Sequence, residues 1–172
     1  RLDQLWWTGQ WWVDQIGIQE VSAAELGRKP VPYVMQTVQN QIGVPVDDAW
    51  VLDRLAFAGL VDAVGGVRID VKRPTVYLTD AGTPALIPAG LQTLSGAQAA
   101  DFVLDTSLTD ENVRLRRFQA VWDQILRRFP TDVEKSRTLV VSLGALSKAT
   151  MPTEELAVYL SDAHDLRIRG EY

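Results

Sequence analysis

The 172-residue chain contains no cysteine. Disulfides, thiol nucleophiles and thiolate-bound metals are therefore excluded, although this does not fix the compartment. Histidine is nearly absent too. His164 is the single one, so a Ser-His-Asp or Cys-His arrangement would have to run through it, and a histidine-based zinc site lacks ligands. It lies at a predicted helix end beside Asp162 and Asp165, which suits an exposed cation at a helix C-terminus. Positive charge is in deficit, with 17 Lys and Arg against 22 Asp and Glu and a net charge of −5. Such a chain lacks the overall attraction that supports nucleic-acid binding, and no recognition motif compensates, so no nucleic-acid partner is expected. No apolar run approaches the roughly 18 residues of a membrane span. The longest, Leu139 to Leu146, is broken by Ser142 and Gly144. There is no phosphate-cradling glycine motif of the P-loop or dinucleotide type, and no secretory signal. The chain starts at Arg1 rather than Met, as a processed or trimmed sequence does.

What is present reads as one globular domain over residues 1–172, long enough to bury a core. The apolar share of 47% and charged share of 23% are ordinary. Tryptophan is not: there are six. Trp6, Trp7, Trp11 and Trp12 fall in a predicted helix over 2–17, where Trp7 and Trp11 share a face and the other two spread the indoles around the circumference. A helix apolar nearly all round is a buried core helix, the wall of an apolar groove, or a partner surface.

Further along, residues 31–42 read as a helix ended by Gly43, and Trp50 to Leu52 as a buried strand. Asp53 can cap a helix from Arg54 to Ala63 with Leu55, Leu60 and Val61 inward. Gly65-Gly66 allows positive φ, so the chain can leave this helix and enter a strand within two residues. That strand, Val67 to Val71, alternates strictly, and Thr75 to Leu78 is a second strand with Pro74 at its edge. Residues 79–94, rich in Gly, Pro and Thr, read as a loop. Ser95 starts a helix running to about Asp105. Thr109 can cap the most periodic segment, in which Leu115, Phe118, Trp122, Ile125 and Phe129 repeat at three-four spacing until Pro130. Residues 131–149 read as a helix with Val140, Leu143 and Leu146 inward. Thr153 caps a last helix to about Ala163, and Leu166 to Arg169 reads as the start of a terminal strand. The predicted fold is α/β: a three-layer α/β/α sandwich with a small mixed central sheet.

Two groups of side chains have chemical potential. Arg114 and Arg117 are three apart on one helix face near its N-terminus, where guanidiniums and orphan backbone N–H groups can hold phosphate or pyrophosphate. The same spacing suits a solvated face paired with Asp110 and Glu111. Asp53, Asp62, Asp110 and Glu111 could hold a divalent cation only if the fold gathers them, and each otherwise serves as a cap or surface charge.

Three blocks resemble the LytR–CpsA–Psr family of bacterial envelope proteins. The first runs from Gly43 to Asp53 and continues through Phe57 and Leu60-Val61-Asp62-Ala63-Val64-Gly65-Gly66-Val67. The second, Ile87 to Ala99, is similar to the family's P-A-G-x-x-x-L-x-G-x-Q-A element. The third, Asp110 to Gln119, resembles its D-F-G-R-x-x-R-Q-Q segment, with Arg114, Arg117 and Gln119 matching two arginines and the second glutamine. The resemblance implies an α/β/α sandwich at the extracytoplasmic face of the membrane, anchored by an N-terminal helix that would precede Arg1. It implies an apolar tunnel for a polyprenyl chain, with Trp7, Trp11, Phe118 and Trp122 as candidate tunnel residues. Arg114, Arg117, Arg1 and Gln119 would hold the lipid phosphate, and the reaction would pass a glycopolymer to the cell wall. Magnesium would assist, on ligands that the family places upstream of Arg1, and the catalytic residues are not identifiable here. Three positions depart from the pattern. Leu104 and Thr106 replace two phosphate-holding arginines, and Phe118 replaces the first glutamine of R-Q-Q. Each missing charge-assisted bond is worth roughly 1.5–3 kcal/mol, whereas burial of an isoprenoid chain is untouched. The resemblance thus implies either a C-terminal piece of a longer protein or a shortened, degenerate member, and the alternative to a transferase is a non-catalytic lipid- or partner-binding module on the same scaffold.

Overall fold

The structure, a computed structural model, describes residues 31–32, 35–36, 39–40, 43, 45–79, 82–104 and 111–169. The predicted helix over 2–17, with Trp7 and Trp11, lies outside the described residues, as do Arg1, Thr106, Thr109 and Asp110. The chain divides into two compact units, Arg1–Trp50 and Val51–Tyr172. In the first, the described parts of 31–40 are helical. Gly43 closes that helix in the left-handed region (φ 70°), and its N–H donates to the Gln39 carbonyl at 2.9 Å.

The second unit holds strand β1 (Trp50–Leu52, its first residue the last of the other unit), helix α1 (Arg54–Ala63), strands β2 (Val67–Val71), β3 (Thr75–Leu78), β4 (Pro84–Ile87) and β5 (Gly90–Leu94), and helices α2 (Gly96–Leu104), α3 (Glu111–Arg128) and α4 (Val133–Ser142). A 3-10 turn (Gly144–Leu146), strand β6 (Ser147–Ala149) and helix α5 (Thr153–Arg169) complete it. The class is α/β, as expected. Among the described residues the strands form three two-stranded ladders, β1 with β6, β2 with β5 and β3 with β4. The last two are antiparallel. Helix α1 packs on α2, α2 on α3, α3 on β2 and α5, and α4 on α5. The buried side chains joining them include Leu60, Val61, Val67, Val103, Val121 and Ile125.

Local chemistry explains the first half of this unit. Asp53 is the α1 N-cap, its carboxylate accepting from the Ala56 N–H at 2.7 Å. The helix ends in a Schellman motif, with Gly66 N–H on the Val61 carbonyl (2.8 Å) and Gly65 N–H on the Asp62 carbonyl (2.9 Å). Both glycines have positive φ, and a Cβ on Gly66 would sit 2.9 Å from the Leu94 carbonyl oxygen. Arg128 closes over this turn, Nη1 donating to the Gly66 carbonyl at 2.8 Å. Strand β2 then buries Val67, Ile69 and Val71 and exposes Arg68 and Asp70, as its alternation dictates.

Helix α2 begins on a capping box. The Gln98 Oε1 accepts from the Ser95 N–H at 3.1 Å, and the Gln98 N–H reaches the Ser95 hydroxyl at 3.4 Å. Gly96 sits against α1 with its N–H on Asp62 Oδ1 at 2.7 Å. A Cβ there would overlap the Ala58 carbonyl oxygen. The L-x-G-x-Q-A element is thus a helix start wedged onto a neighbouring helix.

Several expectations need correction. Residues 84–87 and 90–94 are strands rather than loop, because pairing with β3 and β2 overrides their weak local preference. The helix expected over 131–149 stops at Ser142, and Gly144 (φ 56°) turns the chain into β6. The terminal strand at 166–169 is the end of α5, where no Gly or Pro interrupts the helix and Arg167 and Arg169 suit its C-terminal dipole. Leu55 and Leu146 are exposed, not inward, and Trp50–Leu52 is half-buried rather than buried. No helix among the described residues is long and apolar enough to cross a membrane.

Candidate functional site

Helix α3 positions the candidate site through its period. Val121, Ile125 and Phe129 are buried, which anchors the helix and fixes the directions of the side chains around it. Arg117 occupies the flank toward α2 and β3. Its guanidinium carbon lies 4.6 Å from the Phe102 ring centroid, a cation–π distance. Nη2 donates to Thr75 Oγ1 at 3.1 Å, and Nη1 to the Phe102 carbonyl at 3.4 Å. The Thr75 hydroxyl in turn donates to the Arg73 carbonyl at 3.2 Å. The planar guanidinium is thereby held in one orientation. Arg114, one turn earlier, is only 5% exposed, so the solvated-face reading does not describe it.

The other flank is apolar and open. Among the described residues, Phe118, Gln119, Ala120, Trp122 and Asp123 line a cavity of about 510 Å³. Phe118 and Trp122 stack with centroids 6.3 Å apart and planes 4° apart. Phe57 of α1 extends the row, 6.0 Å from Phe118 at 20°. Both spacings fall within the range of favourable aromatic pairs.

Asp123 is the charged member of this wall. It accepts from Arg127 Nε at 2.9 Å and from Arg167 Nε of α5. Burial pushes its carboxyl upward, but the hydrogen bonds from Arg167 and Arg127 outweigh this and hold it below the usual carboxylate range. A second charged pair, Arg54 with the buried Asp101, lies between α1 and α2. Burial, and then the Asp101 carboxylate, raise the Tyr77 phenol above its ordinary value.

The structure therefore brings Phe118, Gln119 and Trp122 together at one cavity and sets Arg117 on a different flank of the same helix, against Phe102 and Thr75. Arg1, Trp7 and Trp11 fall outside the described residues. Asp53 and Asp62 act as caps, one for each of α1 and α2. No three His, Cys, Asp or Glu side chains among the described residues are grouped to hold a metal ion. The described part of the chain does not fit a magnesium site. His164 is half-buried rather than exposed, with Nδ1 2.8 Å from the Leu126 carbonyl. Sequence reasoning missed Thr75, Phe102 and Asp123. Asp123 had a local signal, its i,i+4 spacing to Arg127, whereas Thr75 reaches Arg117 across 42 residues.

The sequence model of the LytR_cpsA_psr family matches residues 26–111. No curated protein matches the sequence. Among solved structures, Bacillus subtilis TagV is 17% identical with a TM-score of 0.62, covering 76% of this chain and 51% of its own. A transcriptional regulator from Enterococcus faecalis is 21% identical with a TM-score of 0.61, covering 78% and 51%. A LytR-Csp2A-Psr enzyme from Actinomyces oris is 20% identical with a TM-score of 0.55, covering 75% and 53%. The chain spans about half the length of these relatives. At these identities the likeness establishes the fold alone.

Proposed function

The chain belongs to the LytR–CpsA–Psr family, and from that premise we propose that it binds the polyprenyl-phosphate end of a lipid-linked glycopolymer at the cell envelope. The observation that carries this reading is the cavity walled by Phe118 and Trp122 on α3, the helix that also carries the oriented guanidinium of Arg117. An isoprenoid chain is apolar, and its burial against Phe118 and Trp122 is favoured by about 25 cal/mol per Å². A phosphate needs donors that are already oriented, and each charge-assisted bond adds roughly 1.5–3 kcal/mol. Arg117 is such a donor, Gln119 brings an amide to the cavity wall, and Arg114 lies one turn nearer the positive end of the helix.

A thermal-shift titration with a polyprenyl phosphate tests the binding. Occupancy at about 100 times Kd stabilises by roughly 2.7 kcal/mol, which for a chain of this size raises Tm by about 5–10 °C. Trp122→Ala and Arg117→Ala are each expected to lose most of that rise. An unchanged Tm for the parent chain overturns the reading.

A second reading, a lipid-binding module without transferase activity, is favoured by Leu104 and Thr106 at positions where the family pattern has arginine. An assay with lipid-linked donor and cell-wall acceptor separates the two. Turnover abolished by Arg114→Ala supports the enzyme, and lipid binding without turnover supports the module.

A further inference from the structure

The β3–β4 hairpin is apolar on both faces. Its inner face buries Thr75, Tyr77 and Ile87. Its outer face presents Val76 (49% exposed), Leu78 (39%) and Leu86 (59%), with Pro84 beside them. Val76 stands opposite Leu86 and Leu78 opposite Pro84 in the ladder register, so the four side chains form one continuous strip. A solvated strand face is ordinarily polar, and β2 obeys that rule with Arg68 and Asp70 outward. The hairpin does not, and a contiguous exposed apolar strip of this kind marks a contact surface.

Three observations narrow the occupant. Prolines stand at the strand ends, Pro74 before β3, Pro84 opening β4 and Pro88 after it. They blunt the edges against addition of another strand, so contact must come through the face. That face offers on the order of a few hundred Å², well short of the roughly 800 Å² per partner of a stable protein interface. Exposed Lys72 and Arg73 lead directly into β3. Asp70 accepts from Lys72, but both are exposed and such pairs are weak. Two basic side chains beside an apolar strip complement an anionic lipid surface locally.

We propose that the outer face of the β3–β4 hairpin docks shallowly on an anionic bilayer, with Val76, Leu78 and Leu86 among the acyl chains and Lys72 and Arg73 at the headgroups. This contact is separate from the cavity on α3 and does not depend on it. The test uses the full chain and sedimentation with phosphatidylcholine vesicles, with and without phosphatidylglycerol, free of polyprenyl phosphate. The chain is expected to pellet with the anionic vesicles and to be released by salt. Lys72→Gln with Arg73→Gln should weaken binding at least about tenfold, from roughly fivefold per basic side chain. Val76→Ser with Leu86→Ser should abolish it. These four side chains lie on the surface, and an unchanged thermal melt confirms that each variant is folded; the charge pair lies outside the strands and carries the test should the serine pair fail that check. Absence of binding to anionic vesicles, or equal binding by the variants, overturns the proposal. So does a vesicle-free dimer that Val76→Ser with Leu86→Ser makes monomeric, because the strip would then be a contact between copies. Failure here leaves the polyprenyl-phosphate titration untouched, since the vesicles contain none.

Discussion

Replacing Gly96, buried where α2 meets α1, with alanine should damage this fold severely for a change of one methyl group. The added carbon would stand 2.6 Å from the Ala58 carbonyl carbon and 2.7 Å from Asp62 Oδ2, and would overlap the Ala58 oxygen. The nearest obstacle is backbone in the middle of α1, so no rotamer change relieves it. Separating α1 from α2 costs about 1–3 kcal/mol in disturbed packing. It also stretches the 2.7 Å bond from the Gly96 N–H to Asp62, a contact to a charged acceptor worth roughly 1.5–3 kcal/mol. The sum, about 3–6 kcal/mol, is a large part of the roughly 5–15 kcal/mol that a domain holds in reserve. At about 2–4 °C per kcal/mol, Tm falls by roughly 6–24 °C. Circular dichroism melts of the parent, Gly96→Ala, Asp62→Ala and the double variant check the reasoning. Asp62→Ala should lose only the hydrogen-bond share. The double variant should be no more stable than Gly96→Ala, because removing the carboxylate leaves the Ala58 carbonyl in place. A Gly96→Ala chain melting within a degree or two of the parent refutes the close approach, as does rescue by Asp62→Ala.

Other outcomes follow from the same contacts. Ser95→Ala removes one side of the α2 capping box and should cost about 1 kcal/mol, read as a small drop in the urea midpoint with an unchanged slope. Asp123 has a carboxyl held below its ordinary value, so its pairing with Arg127 and Arg167 stabilises the folded chain fully above the unfolded carboxylate pKa of about 4. That contribution fades as pH falls through the lower folded value. Asp123→Asn should therefore be less stable than the parent at pH 7, with the gap closing on acidification; a gap that is constant with pH contradicts the assignment.

The parts of the fold legible in the sequence are those where local chemistry and burial agree. Asp53 was readable as a cap because its carboxylate has a donor three residues on. Gly65-Gly66 was readable as an exit because the turn needs positive φ, and β2 because its alternation matches its two environments. Strands β4 and β5 were not, since Pro84, Gly90 and Thr93 look like loop residues until β3 and β2 supply their partners. The end of α5 was misread because Leu166 and Ile168 alternate with Arg167 and Arg169 as in a strand, yet Arg167 is drawn to Asp123, 44 residues away. At the site, Phe118 and Trp122 stand out by helical spacing and Gln119 only by the family resemblance, and the three line one cavity. The clasp on Arg117 was invisible, because Thr75 and Phe102 reach it only through the packing of β3 and α2 against α3.

Native mass spectrometry of the full chain, extracted in mild detergent from cells that make lipid-linked glycopolymers, addresses the central claim most directly. A bound species with the mass of a polyprenyl phosphate or its glycosylated form, depleted in Trp122→Ala and Arg117→Ala, is the predicted result. A chain that carries no such lipid, or carries it equally in both variants, contradicts the account.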